Sequence, residues 1–226
     1  MQLSNPAITS LDAMLPKIII RDLGRTDYQT TLSAMQAFTE NRTDDTPDEL
    51  WLTEHNSVYT LGLNRKNVRL PNNPLPVVLV DRGGKITYHG IGQLIVYCLL
   101  DLKRHQLNVK QLVQIIERSM MELLALHDIE SSTQSDAPGV YVNIDGQQKK
   151  IASLGLRLKN NYCYHGLSLN VDMDLSPFSA IDPCGYVGLQ MTQTKDLGIN
   201  KTPQQLGDTL VKLLKSQLLK EEYTHA

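Results

Sequence analysis

The dipeptide Asp145-Gly146, set between the strand-like runs Gly139–Ile144 and Ile151–Leu158, constrains this chain more than any other feature. Such a pair is a strong β-hairpin signal, because the tightest antiparallel connection wants left-handed backbone at its central positions. A second turn, Asn160-Asn161, follows and leads into Tyr164–Val171. The expected scaffold is therefore a sheet carrying three successive antiparallel strands. Alternation along 150–158 places Lys150, Ala152, Leu154, Leu156 and Leu158 on one face, apolar except for the lysine.

Other segments supply further strands and the helices to cover the sheet. Lys17–Ile20, Leu50–Glu54, Val58–Leu61, Val77–Val80 and Leu94–Leu102 are apolar runs of strand character. Between Thr26 and Asn41, Tyr28, Leu32, Met35 and Phe38 recur at helical spacing. Asn108 caps a helix reaching about His127, with Leu112, Ile115, Ile116, Met120 and Leu123 on its inner stripe. Thr202-Pro203 starts a third helix, with Leu206, Leu210, Leu213, Leu214 and Leu218 as its stripe. Gly62–Pro76 is a long loop, of the kind that is usually functional or mobile, and Pro177 to Gly188 is irregular. With no repeat, low-complexity tract or linker, 1–226 is expected to form one α/β domain, a mixed β-sheet flanked by helices. A chain of 226 residues can bury roughly 70% of its unfolded surface, so it needs no metal or disulfide scaffold.

Composition excludes several classes. Lys plus Arg is 22 against 24 for Asp plus Glu, a formal charge of -2, which argues against a protein that coats nucleic acid. Three widely spaced cysteines, Cys98, Cys163 and Cys184, make neither a disulfide framework nor a CxxC-type zinc site. Met1 to Pro16 lacks the layout of a signal peptide, and the longest apolar stretch, Leu94 to Leu100, is too short to span a bilayer. The expectation is a cytoplasmic protein with no membrane contact.

Three segments carry candidate chemistry. In Asp81 to Gln93, four glycines stand among Arg82, Lys85, Tyr88 and His89. Glycine permits close approach of backbone to a ligand, and Arg82 and His89 can anchor polar groups; a plain glycine-rich connection fits equally. The pattern is neither a Walker loop nor a GxGxxG turn. Lys150 faces either the buried side of its strand or, from the first position, the solvent. A buried ammonium is disfavoured, a common route to a reactive or base-competent amine. Cys98 and Cys163 lie in strand segments, Cys98 as an ordinary core residue. Cys184, between Pro183 and Gly185, sits where a thiol can be approached, making it a candidate nucleophile.

Together these segments resemble the bacterial octanoyltransferase family, the lipoyl-protein transferases of type B. The strings that carry the likeness are RGGKITYHG at 82–90, GVYV at 139–142, KIASLGLRL at 150–158, YHGLSLNVDMDLSPF at 164–178 and DPCGY at 182–186. The likeness implies the biotin/lipoate protein ligase-like fold and no cofactor or metal. It makes Cys184 the acyl-thioester nucleophile and Lys150 the residue that lowers its pKa or accepts its proton. The substrate pocket it implies is lined by Arg82, Gly83, Gly84, Lys85, Ile86, Thr87, Tyr88 and His89, by Ser153, Leu154 and Gly155, and by Gly166, Leu167 and Ser168. Tyr164 and His165 flank that last stretch as supports. The implied donor is octanoyl-acyl carrier protein. The implied acceptors are lipoyl domains of 2-oxoacid dehydrogenases and the glycine cleavage H protein. One departure stands out: where the family usually reads HGPGQ, this chain has Ile91 for the proline.

Three rival classes are weaker. An ATP-dependent lipoate or biotin ligase on the same fold has no need of Cys184, a cysteine hydrolase wants a His partner, and a non-catalytic carrier-binding module has no use for a reactive thiol. Because both protein partners are acidic, Arg65, Lys66, Arg69 and Lys85 are candidate docking residues, unless they form only a solvated charged loop.

Overall fold

The computed structural model describes residues 17–221, apart from the side chains of Cys184, Lys220 and Glu221. The expectation that Met1 to Pro16 is no signal peptide thus concerns a segment outside the described residues. In chain order the elements are β1 (Ile18–Thr26), α1 (Tyr28–Glu40), β2 (Asp48–His55), β3 (Val58–Leu61), β4 (Val77–Leu79), β5 (Ile86–His89) and β6 (Gln93–Asp101). Then come α2 (Val109–Ala125), β7 (Ser132–Thr133), β8 (Gly139–Ile144), β9 (Gln147–Lys159), β10 (Tyr162–Asn170) and α3 (Pro203–Glu221). Among the described residues no helix is long and apolar enough to cross a membrane.

The helices start where side chains satisfy their first amides. Asp27 Oδ1 accepts from the Thr30 N–H at 2.8 Å, and Asn108 and Gln111 form a reciprocal capping box. Thr202 and Gln205 do the same ahead of α3.

Seven strands form one mixed sheet in the order β1-β2-β6-β10-β9-β8-β7, parallel between β1 and β2 and antiparallel elsewhere. A second sheet, β4-β3-β5, was not foreseen. Its strand β5 lies inside the glycine-rich segment, where four residues between turns carry too little pattern to read.

On one face of the large sheet, Leu50, Leu52, Leu94, Val96, Leu100, Val140, Val142 and Leu169 pack against α2 and α3. On the other, Trp51, Ile95, Tyr97 and Leu99 lie under Tyr28, Leu32 and Met35 of α1. The small sheet continues that second layer, with Tyr59, Leu61, Ile86 and Tyr88 packed on Met173, Phe178 and Ile181.

Two irregularities interrupt the alternation. Val140 pairs with Ala152 and Tyr141 with Lys150, so Ile151 is an extra residue, a β-bulge. Ile151 and Ala152 both join the core under the helices. Lys150 instead pairs with Tyr141, and its Nζ lies 5.1 Å from that ring, on the opposite face from Val140 and Val142. Lys150 is thus buried, at 0% exposure, but it does not share a face with Ala152 and Leu154 as uniform alternation predicts. In β10, His165 adopts φ of 60°, in the left-handed region, between Cys163 and Leu167 of the helix-packed face. That turn of the backbone brings His165 to the other face.

Candidate active site

A pocket opens between the large sheet and β5. Its floor is cut by Gly155 and Gly166, directly paired on β9 and β10. A Cβ on Gly166 would lie 2.0 Å from the Val96 carbonyl oxygen, so no larger residue fits there. Ile95 supplies apolar wall, Ile86, Leu154 and Leu167 border the pocket with side chains packed into the neighbouring cores, and Tyr28, Tyr97, His89 and His165 supply the rings. Thr87, Ser153 and Ser168 complete the lining with Gly84, Lys85 and Arg82. Mostly apolar surface with a few placed polar groups suits an aliphatic chain with one polar end.

Two expected lining residues fall elsewhere. The Tyr88 ring turns to the far face of the small sheet, against Tyr59 and Phe178, with its hydroxyl 3.0 Å from Ser57 Oγ. Strand alternation forces this, since Thr87 and His89 take the pocket side. Gly83 is a tether: its N–H donates to Leu156 O at 2.9 Å. Arg82 does touch the pocket, while its guanidinium donates to Thr60 O and Oγ1 at 2.8 Å and to the Gly83 and Lys85 carbonyls. It braces the loop that carries it.

His89, 8% exposed, is held neutral. Burial pushes its pKa down to about 3, helped by His55 and Arg82, against the hydrogen bond to Gln93. Nδ1 donates to Gln93 Oε1 at 2.8 Å, and Nε2 is 3.3 Å from Thr60 Oγ1. With both nitrogens engaged, this imidazole positions its neighbours. The relay continues from Gln93 Nε2 to Asn170 Oδ1 and from Asn170 Nδ2 to Thr192 O.

His165 bonds through Nε2 to Asp81 Oδ1 at 2.8 Å, and Tyr164 donates its hydroxyl to the other Asp81 oxygen. Burial would raise the Asp81 carboxyl, but the His165 and Tyr164 bonds outweigh it and hold it well below the usual carboxylate range. Burial lowers His165 itself, more than Asp81 raises it. The pair ties the loop beginning at Asp81 to β10, so His165 both lines the pocket and fixes its edge.

Sequence reasoning missed Tyr28, Ile95 and Tyr97. All of β6 is buried, so its apolar run gives no sign of which residues face the pocket. Tyr28 begins the stripe of α1 and could have been suspected from that position.

The segment around Cys184 is a single 3-10 turn, Pro183–Gly185, closed by the Gly185 N–H on Asp182 O at 2.8 Å. Gly185 has φ of 85° and packs on the Lys85 side chain. Arg69 donates to Asp182 Oδ1 at 3.2 Å, Ser179 O at 2.9 Å and Ile181 O at 2.5 Å. Arg69 therefore belongs to the framework of this turn, and the basic cluster expected to dock partners is partly spent inside the molecule.

After the turn, Tyr186 donates to Asp136 O at 2.8 Å, and Gln190 to Thr192 pairs with Lys150. The Lys150 N–H donates to Gln190 O at 2.8 Å, and the Thr192 N–H to Lys150 O at 3.0 Å. Lys150 Nζ donates to Pro138 O at 2.8 Å, two residues past Asp136. The backbone after Cys184 is thus pinned to the strand and loop that hold Lys150, while the backbone before it is held by Arg69. Cys98 and Cys163 are buried, with thiols pushed up by burial, to about 12 for Cys98.

The family model for the lipoyl protein ligase A/B catalytic domain matches residues 27–215. The octanoyltransferase of Laribacter hongkongensis is 51% identical over 205 residues, covering 90% of this chain and 97% of its own. That of Chromobacterium violaceum is 54% identical over 201 residues, 88% of this chain and 95% of its own. A bipartite lipoate protein ligase from Thermoplasma acidophilum has the same fold, with a TM-score of 0.70 at 14% identity over 89% of this chain and 84% of its own. The biotin protein ligase of Aquifex aeolicus is more distant, at TM-score 0.55 and 16% identity, covering 90% of this chain and 71% of its own.

Proposed function

The chain belongs to the lipoyl protein ligase A/B catalytic family and is an octanoyltransferase of protein lipoylation, and from that premise we propose a route for the octanoyl group. It passes from octanoyl-acyl carrier protein to a thioester on Cys184, then to the ε-amine of a lysine on a lipoyl domain. Lipoyl domains of 2-oxoacid dehydrogenases and the glycine cleavage H protein are the acceptors. The whole chain acts as one catalytic domain. A reactive thiol and a thioester donor suit a reducing compartment, the cytoplasm.

The observation that supports this most is that the segment following the Cys184 turn is bonded to the strand and loop of buried Lys150, through Gln190–Thr192 and from Tyr186 to Asp136. An ammonium favours a nearby thiolate. In the first half-reaction the Cys184 thiolate attacks the donor carbonyl. A new carbon–sulfur bond forms, the donor's breaks, and the departing thiolate takes a proton from the Lys150 ammonium. In the second, the acceptor amine attacks, the Lys150 amine takes its proton, and the Cys184 thiolate leaves. Thiolate and ammonium are restored, as ping-pong chemistry requires.

Incubation with octanoyl-acyl carrier protein should add one octanoyl group, located on Cys184 by peptide mass spectrometry. Cys184→Ser should show neither adduct nor transfer, while Cys98→Ala and Cys163→Ala should show both. An adduct on Cys98 or Cys163 would sink the assignment. Transfer from free octanoate with ATP, surviving in Cys184→Ser, would instead make the chain a ligase.

A further inference from the structure

Glu117 on α2 is a buried titratable group with no part in the steps above. Its Oε1 accepts from the Gly139 N–H at 2.8 Å. The carbonyl of that same peptide unit, Pro138 O, accepts from Lys150 Nζ at 2.8 Å. The described residues contain no cis peptide bond, so this N–H and C=O point in opposite directions. One end meets a carboxylate reaching from the helix-packed side of the sheet, and the other meets the ammonium on the pocket side. The fit is close: a Cβ on Gly139 would lie 2.5 Å from Lys150 Cε and 3.1 Å from Nζ.

A peptide held between a cation at its oxygen and an anion at its hydrogen is polarised along its own dipole. Each charge-assisted bond then strengthens the other. We propose that Glu117 is a positioning residue for Lys150, acting through the Pro138–Gly139 peptide to hold the ammonium and to favour its protonated form. Glu117 thereby sets the pH at which Lys150 gives up its proton between the two half-reactions. This rests on Lys150 being the proton carrier.

Burial raises the Glu117 carboxyl, while the Gly139 N–H and the Lys150 charge oppose that rise. From β8, the Tyr141 ring faces the ammonium at 5.1 Å. From α3, neutral Gln217 reaches this stretch of α2 and bonds to Arg118 and Glu122.

Glu117→Gln keeps the shape and the acceptor for Gly139 but removes the charge. Without it the ammonium releases its proton more readily, so the rising limb of the transfer reaction against pH moves to lower pH. Octanoyl-enzyme is prepared, mixed with a lipoyl domain, and followed through a single turnover across the pH range. The limb in Glu117→Gln should sit about one pH unit lower than in the native enzyme. In the native enzyme, the Gly139 amide resonance should shift in step with that limb. Superimposed limbs, or a Gly139 amide that stays fixed across the limb, would overturn the proposal. The native amide titration decides the question alone if Glu117→Gln fails to fold. Lys150→Met run alongside separates the two ideas. Native-rate transfer there removes Lys150 as proton carrier, whereas a dead Lys150→Met with an unshifted Glu117→Gln removes only the role of Glu117.

Discussion

Against α2 and α3 the large sheet presents Leu94, Val96, Cys98 and Leu100 of β6 and Val140 and Val142 of β8, every second residue without interruption. On the opposite face Lys150 arrives through a bulge at Ile151, and His165 through a left-handed residue in mid-strand. The first face needs only area and shape, and any regular strand supplies them. The second needs particular side chains at particular points, and strict alternation would have buried both among aliphatic groups. Such irregularities are the means by which a period-two lattice delivers a functional group to the face that uses it.

Breaking the comparison outright means removing the extra residue. Deletion of Ile151 leaves Val140 paired with Ala152 and Tyr141 with Lys150, so the lysine keeps its face while the helix-packed core loses a fully buried side chain. Losing a buried isoleucine from a core is destabilising by about 2–5 kcal/mol, so the deletion should shift the denaturant midpoint far down. Adding Lys150→Met to the deletion should abolish activity without recovering that stability. Lys150→Met in the unmodified strand should lose about 10²–10⁴-fold in octanoyl transfer, the usual worth of general acid–base catalysis, with little change in melting. A deletion that melts like the native protein would show that Ile151 contributes nothing to the helix-packed face, and recovery of its stability by Lys150→Met would show that the lysine had turned into that core.

The contrast also explains what was legible beforehand. The helices announce themselves through caps and leucine stripes, and the β8–β9–β10 meander through Asp145-Gly146 and Asn160-Asn161. Their contacts are local or periodic, so the pattern survives in the sequence. The bulge at Ile151 demands no special residue type, so the strand pattern leaves Lys150 open between burial and solvent and assigns it the face of Ala152 and Leu154, which the bulge overrides. In β6 both faces are apolar, which hides Ile95 and Tyr97. The pairing of Cys184 with Lys150 came from family resemblance; in composition and spacing each was only one candidate among several.

The comparison sharpens in acid. The helix-packed face is carried by aliphatic groups, and its Cys98 and Cys163 thiols remain protonated as pH falls. On the other side of the sheet, His55, His89 and His165 are all lowered, chiefly by burial, His89 to about 3. Unfolded chains take up a proton on each imidazole near pH 6.5, which the folded protein refuses until lower pH, and for His89 until far lower. Stability is therefore fully present above about pH 6.5 and is lost as pH falls below it, at up to about 1.4 kcal/mol per unit for each histidine. Chemical denaturation from pH 7.5 to about 4.5 should show this loss, and His89→Gln should reduce the slope by close to one proton. A stability that stays flat from pH 7 to about 5 would mean that these imidazoles are not held neutral.

The smallest effect lies in the turn that joins the two sheets. Gly90 to Gln93 is closed by the Gln93 N–H on Gly90 O at 3.1 Å, with Gly92 at φ of 85°. Ile91 is not among the residues of positive φ, so the geometry is that of a type II turn, with Ile91 first and Gly92 second of the central pair. A Cβ on Gly92 would lie 1.8 Å from Asp172 O, which fixes the second position as glycine by contact as well as by backbone. The first position favours proline, whose ring presets the required φ, and proline is what the family pattern HGPGQ carries. Ile91 is 49% exposed, and the bond that closes the turn is donated by Gln93, so proline here sacrifices little packing and leaves that bond intact. Ile91→Pro should stabilise the protein by about 0.4–1 kcal/mol, mostly by narrowing the unfolded ensemble, and leave transfer within about twofold of native. A lowered melting temperature would mean that Ile91 contributes packing over Asp172 and Lys195 that outweighs the entropy gained, and that this turn departed from the family pattern for the sake of that contact.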